Sequence, residues 1–265
     1  MSNGRFELPR PHTVALVAMG ASSSDYSNQC AQNGGRHVVA DETWTINASG
    51  ATFLHDRLFA MDDLTELIHD SRLGKKVAKS MIGWLAEHPG PVYVVKKYPQ
   101  IPGAVEYPLV PVLNHVGFPY LNTSVAYAVA YAMYIGVKVL KLFGCDFTYA
   151  NHHQGESGRG CVEWLLGIAG ERGMKIEVSQ TTTLLDANVP MEKRLYGFTE
   201  AAVPEQYCRK CGKGLEACRC GAPEVLWRIR FPEREEEAQQ TQQLTPDIAP
   251  AFGGLNKPPK VVGAP

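Results

Sequence analysis

The sequence predicts an α/β protein with a doubly wound, mostly parallel sheet, and three observations carry that prediction. Short apolar runs alternate with segments of helical periodicity between residues 13 and 178, the order in which parallel strands and their crossover helices arise. The first run, Thr13 to Met19, is continuously apolar, as expected of a strand buried on both faces. Two of the runs end in small-residue turns, Gly20 to Ser24 and Gly144 to Asp146, where a strand must stop and a helix can start.

In chain order, the first strand breaks into Gly-Ala-Ser-Ser-Ser-Asp from Gly20, a turn with several helix-cap candidates. A second strand is expected over Glu42 to Ile46, ending in Asn47-Ala48-Ser49-Gly50, and a third over Leu58 to Met61, ending in Asp62-Asp63. Leu64 to Glu87 has helical spacing with a break near Gly74; Val92 to Val95 and Val105 to Leu109 read as strands. Thr123 to Ile135 is an Ala-rich helix with a polar cap, closed by Gly136, and Val137 to Phe143 is the buried strand that follows. A loop from Asp146 to Gly155 leads to a helix from about Glu156 to Arg172 and a last strand over Lys175 to Val178.

Beyond this the pattern changes. Residues 1–190 form the α/β domain, 191–230 a cysteine-bearing module with an apolar strand over Glu224 to Ile229, and 231–265 a Glu-, Gln- and Pro-rich tail expected to be disordered. The net charge of −1 and 20% charged residues give no global attraction to nucleic acid or membrane. The first twelve residues lack a signal-peptide core, and no run reaches the ~18 to 20 apolar residues of a membrane span, so a soluble, cytoplasmic protein is expected.

Of seven cysteines, Cys30, Cys145 and Cys161 are scattered and read as buried thiols. The other four, Cys208, Cys211, Cys218 and Cys220, have C-x2-C and C-x-C spacing, which suits a closed, structural tetrahedral zinc site. Arg209, Lys210, Lys213 and Arg219 surround it as a basic rim, able either to meet a phosphate backbone or simply to stay solvated.

Ligands of open α/β sheets bind beyond the carboxyl ends of the strands, so the strand-end residues are the candidates. Gly20, Ser22 and Ser23 offer backbone N–H groups and hydroxyls at a helix start, a phosphate or ribose site as well as an ordinary capped turn. Asn47 offers a carboxamide to a base or ribose, or is a turn residue; Thr123 and Ser124 cap a helix and can face a ligand as well. Asp146 either caps its own loop or positions a ligand or metal. Tyr149, His152, His153 and Glu156 concentrate a phenol, two imidazoles and a carboxylate within eight residues, suited to proton transfer or merely solvated. The chain lacks G-x-G-x-x-G, a Walker A motif, H-E-x-x-H and G-x-S-x-G, which removes support for dehydrogenase, P-loop, zincin and α/β-hydrolase readings.

The strand leading into Gly-x-Ser-Ser, the strand ending in Asn47, the Thr-Ser helix start and Gly144-Cys145-Asp146-Phe147 together resemble the bacterial sialyltransferases with a single Rossmann-like domain. They resemble equally the motility-accessory-factor glycosyltransferases and archaeal 6-hydroxymethylpterin diphosphokinases. The similarity spans roughly residues 13 to 180 and is strongest over 122 to 149. It implies a Rossmann-like domain whose nucleotide is held by Gly20, Ser22, Ser23, Asn47, Thr123 and Ser124, with Tyr149 matching a tyrosine that steadies the leaving phosphate. The turn departs from the family's usual Gly-x-Gly-Pro-Ser. The histidine base of those enzymes lies farther along the chain, so a base role for His152 or His153 is read from the residues alone.

The expectation is therefore a transferase using a nucleotide-sugar donor, with Tyr149, His152, His153 and Asp146 at the chemistry, structural zinc, and an acceptor that includes macromolecules such as modified DNA. Two alternatives stay open. One is diphosphate transfer from ATP with Mg²⁺ held by Asp146 and Glu156; the other is a non-catalytic nucleotide- or nucleic-acid-binding zinc protein.

Overall fold

The computed structural model describes residues 10–64, 74–190, 193–194, 196, 203–221, 223 and 225–230. The chain divides into two units, residues 1–189 and residues 190–265. The tail expected to be disordered, 231–265, and residues 65–73 of the expected helix lie outside the described residues.

The first unit is built on seven strands: β1 (Thr13–Val17), β2 (Glu42–Ile46), β3 (Arg57–Ala60), β4 (Val92–Val94), β5 (Ala104–Glu106), β6 (Val139–Phe143) and β7 (Lys175–Val178). All pair in parallel, in the order β5-β4-β3-β2-β1-β6-β7. The chain winds outward from β1 through β5, then returns to place β6 on the other side of β1. That reversal makes the β1/β6 boundary the topological switch point of a Rossmann-like sheet. Register there is tight, with Thr13 beside Val139 and Val17 beside Phe143.

Helices cover both faces: α1 (Ser23–Asn33), α2 (Arg36–Val39), α3 (Gly74–Glu87), α4 (Leu109–Val116), α5 (Ser124–Ile135) and α6 (His152–Glu171). The period of two along β1 sorts its side chains. Val14 and Leu16 pack with Trp44, Phe59 and the α5 and α6 residues Ala128, Val129, Val162 and Leu165, whereas Ala15 and Val17 pack with Tyr26 of α1, Val39 and Phe143. Every side chain from Val14 to Val17 is fully buried, which accounts for the unbroken apolar run in the sequence.

Several boundaries move by a residue or two, and four shifts have a local cause. Thr123 is the cap rather than the first residue of α5; its side chain accepts from Ala126 N at 3.1 Å. The helix placed at Glu156 starts at His152, because Asn151 accepts from Gln154 N and nucleates the turn earlier. The strand expected over Val105 to Leu109 ends at Glu106, and α4 begins at Leu109 after Pro108; Pro108 before that helix and Pro111 inside it hid it, although proline is tolerated in a first turn. The strand expected from Val137 starts at Val139, since the Val137 N–H still closes the end of α5 on Ala132 O.

In the second unit, β8 (Val203–Cys208) pairs antiparallel with β9 (Val225–Arg230), and the cysteines sit in the connection between them. The sequence signalled only the second of these strands, because Pro204, Glu205 and Gln206 break the apolar pattern of the first.

Candidate functional site

A cleft of about 470 Å³ opens at the switch point, lined by Ala18 to Ala21 after β1, Ile46 and Asn47 after β2, Val125 of α5, and Gly144 to Tyr149 after β6. Its position follows from topology, since the connections after β1 and β6 diverge to opposite faces and leave a gap between them.

The floor of the cleft is locked by one pairing. Asp146 is 5% exposed; its Oδ2 accepts from Ser22 N at 2.8 Å, and its Oδ1 accepts a short bond from the Ser22 hydroxyl. Ser22 Oγ in turn accepts from Gly144 N at 2.8 Å. A carboxylate thus fills the N-terminal end of α1, the position a phosphate would take, and satisfies that helix start from within the protein. Gly20 is glycine for the same reason: a Cβ there would meet Asp146 Oδ2 at 2.4 Å and Gly144 O at 2.6 Å. Gly144, at φ 67°, passes equally close to Ala18 O. Ser22 and Asp146, candidates for ligand contact on sequence grounds, are spent on each other. Ser23 is half-buried at the first position of α1 and Gly20 lines the cleft.

One wall carries Asn47, held at φ 50°, whose amide donates to Asp62 Oδ2 at 2.8 Å. That bond fixes which end of the carboxamide is which, and it leaves Asn47 Oδ1 buried with no partner. Ser49 supports the turn by accepting from Ile46 N at 2.9 Å. Asp62 is the site residue that sequence reasoning passed over; its signal was an acidic pair ending a buried strand.

The opposite wall is Tyr149, half-exposed and edge-on to Phe147. Its phenol is raised above the ordinary value by burial, then by the Cys145 thiol and Asp62, so it remains a neutral hydrogen-bond donor at neutral pH. Cys145 itself is fully buried, and burial followed by the Asp146 charge pushes its thiol up, which leaves it inert as a nucleophile. His152 and His153 are exposed in the first turn of α6, and Glu156 is exposed one turn later. The start of α6 lies against Tyr149 and α5: a Cβ on Gly155 would sit 3.7 Å from Tyr149 Cδ2, one on Gly158 would meet Thr123 Cγ2 at 2.9 Å, and Asn122 Nδ2 donates to Ser157 O at 3.0 Å. Of the expected site residues, Gly20, Asn47, Asp146 and Tyr149 line the cleft; Thr123, Ser124, His152, His153 and Glu156 do not, although α5 and the α6 start pack behind Tyr149, and Asp62 reaches it only through Asn47.

The second unit holds the other centre. The Cys208, Cys211, Cys218 and Cys220 sulfurs lie within 4.8 Å of one another and can hold a metal ion such as zinc. Cys211 and Cys218 are 3.8 Å apart, matching the ~3.8 Å edge that four sulfurs ~2.3 Å from a tetrahedral zinc would have. Burial opposes ionisation of Cys208, but the N–H groups of Cys211 and Lys210 and the thiols of Cys218 and Cys211 bring it down to about 6, and a thiolate is the form a metal binds. The fold is set by backbone bonds from Cys208 N to Lys213 O and from Gly212 N to Cys208 O.

Fold and sites together define a Rossmann-like α/β protein with a switch-point cleft and a separate four-cysteine centre. A scan against protein-family models found no match. Searches of curated proteins and of solved structures found none either. Among the described residues, no helix is long and apolar enough to cross a membrane.

Proposed function

We propose that the first unit is a transferase that binds a nucleotide-activated sugar in the switch-point cleft, with structural zinc in the second unit. The observation that carries this reading is the cleft itself, whose volume suits a small-molecule ligand and whose walls offer unlike chemistry. The nucleoside would lie toward Asn47, which lines the cleft and whose carboxamide oxygen has no hydrogen-bond partner within the protein. The phosphate would lie toward the α5 start at Thr123 and Ser124 and the α6 start, because the α1 start is already filled by Asp146.

In the transfer step an acceptor oxygen attacks the anomeric carbon and the bond from that carbon to the phosphate oxygen breaks. His152 or His153 takes the acceptor proton, and the nucleotide leaves with the bonding electrons while Tyr149 donates to its phosphate. Loss of a placed donor of this kind costs roughly 10²-fold in turnover, so Tyr149→Phe should lower kcat with little change in donor affinity. The first experiment is native mass spectrometry against CMP-, UDP-, GDP- and dTDP-sugars, followed by transfer assays on Tyr149→Phe and His152→Ala/His153→Ala. Full transfer activity in both variants would sink the assignment.

One observation favours a second reading, Mg²⁺-dependent diphosphate transfer from ATP. Exposed Asp62 offers a carboxylate at a strand end, next to the cleft residue Asn47. A metal-dependent preference for ATP over every nucleotide sugar would select it.

A further inference from the structure

We infer that the cysteine hairpin is a docking face for single-stranded nucleic acid, with Trp227 as the stacking platform and the exposed cations of the knuckle as phosphate contacts. The inference concerns the second unit and does not depend on what the switch-point cleft binds.

The first observation is an indole where a small module would be expected to bury one. Trp227 lies in β9 opposite Gln206 and is 54% exposed, and Val225, two residues back on the same face, is 43% exposed. A metal-stapled hairpin gets its order from the ion rather than from an apolar core, so nothing inside it requires a tryptophan. A half-exposed indole on a two-stranded ribbon leaves aromatic surface open to a partner.

The second observation is charge. Between Cys208 and Cys220 stand four cations, Arg209, Lys210, Lys213 and Arg219, against one acid, Glu216, and all four cations are exposed. Arg219 Nη1 is anchored on the carbonyls of Glu216 and Cys218 at 3.2 and 3.1 Å, so its guanidinium is held in place at the surface. The whole chain has a net charge of −1, which makes this concentration local and gives a polyanion a reason to choose this unit. Cations that track a backbone beside an aromatic that takes a base face are the two elements by which single strands are held without sequence readout. A stacked duplex withholds its base faces from the indole, which is why the single strand is the favoured partner.

The test uses the full-length, zinc-loaded protein and a fluorescein-labelled mixed-sequence DNA oligonucleotide of about twelve nucleotides, followed by anisotropy across a salt series. Binding is expected to weaken with salt at a log–log slope of about −2 to −3, the value for three or four phosphate contacts on a single strand. Trp227→Ala should weaken binding roughly tenfold or more with zinc content and salt slope unchanged, and Trp227→Phe should retain most of the affinity. Lys213→Ala should reduce the slope by about 0.7. Cys211→Ser/Cys218→Ser should abolish binding along with zinc, whereas Tyr149→Phe should leave it unchanged. No binding at low salt, equal or tighter binding of the matching duplex, or unchanged affinity in Trp227→Ala that keeps its zinc would each overturn the proposal. Saturable capture of an acidic, nucleic-acid-free peptide in preference to the oligonucleotide would do so too, marking the face as a protein-docking surface.

Discussion

The two candidate centres satisfy their polar groups in opposite ways. At the switch point, the α1 helix start, the Ser22 hydroxyl and the Asp146 carboxylate complete one another from within the chain, so the floor of the cleft is formed before any ligand arrives. In the knuckle, four sulfurs converge within 4.8 Å, a set that a metal ion such as zinc could complete. If the proposed ligand and metal are right, a ligand in the first unit would meet groups already fixed, whereas order in the second would be coupled to metal.

The largest effect that would break this comparison is metal removal. Chelation, or Cys211→Ser/Cys218→Ser, should abolish zinc stoichiometry and hydrogen-exchange protection across 203–230 while leaving protection of β1 and β6 unchanged. Equal loss in both units would refute separate control. Next in size is Gly20→Ala, which drives a Cβ into Asp146 Oδ2 and Gly144 O and should cost about 3 kcal/mol in the first transition of denaturant unfolding. Asp146→Asn keeps the shape of the clasp but removes the charge from its hydrogen bonds, and should cost about 2 kcal/mol. Its transfer defect should parallel its stability defect if Asp146 is purely structural, and a far larger loss of turnover would return it to the chemistry.

The smallest effect calibrates the first unit against pH. Burial opposes ionisation of Asp56, yet Arg36 and the Thr43 N–H bring its pKa below the ordinary carboxylate value. A depressed folded pKa means that this contribution is fully present above the unfolded value near 4 and is lost as pH falls through the lower folded one. Both partners are partly exposed, so after solvent screening the term is about 0.5 to 1 kcal/mol. Asp56→Asn should flatten the urea-midpoint profile between pH 5 and pH 3 by that amount, with no change in zinc content.

Much of the α/β fold was legible because its signals are local. The apolar run over Val14 to Val17, the capping hydroxyl of Thr123 and the closing Gly136 act within a few residues and read directly as strand and helix ends. The elements misplaced were those with conflicting local cues: α4 behind its prolines, the first turn of α6 among polar residues, and β8 with its Pro-Glu-Gln interruption. The candidate site was legible as a list of strand-end residues. It was not legible as an arrangement, because Ser22 and Asp146 stand 124 positions apart and nothing near either one says that they meet. Asp62 was passed over for the same reason; its importance lies in holding Asn47, fifteen residues away on a neighbouring strand end.

By itself the sequence determined the alternation of strands and helices, where most of them stop, and the four-thiol spacing that can close around a metal. These are consequences of backbone propensity, capping and ligand geometry over short separations. The tertiary structure decided which polar residues are spent inside the protein and which face the cleft. That division depends on the strand order β2-β1-β6, which sets a carboxylate from one loop against the helix start of another and leaves Asn47 and Tyr149 on the two walls.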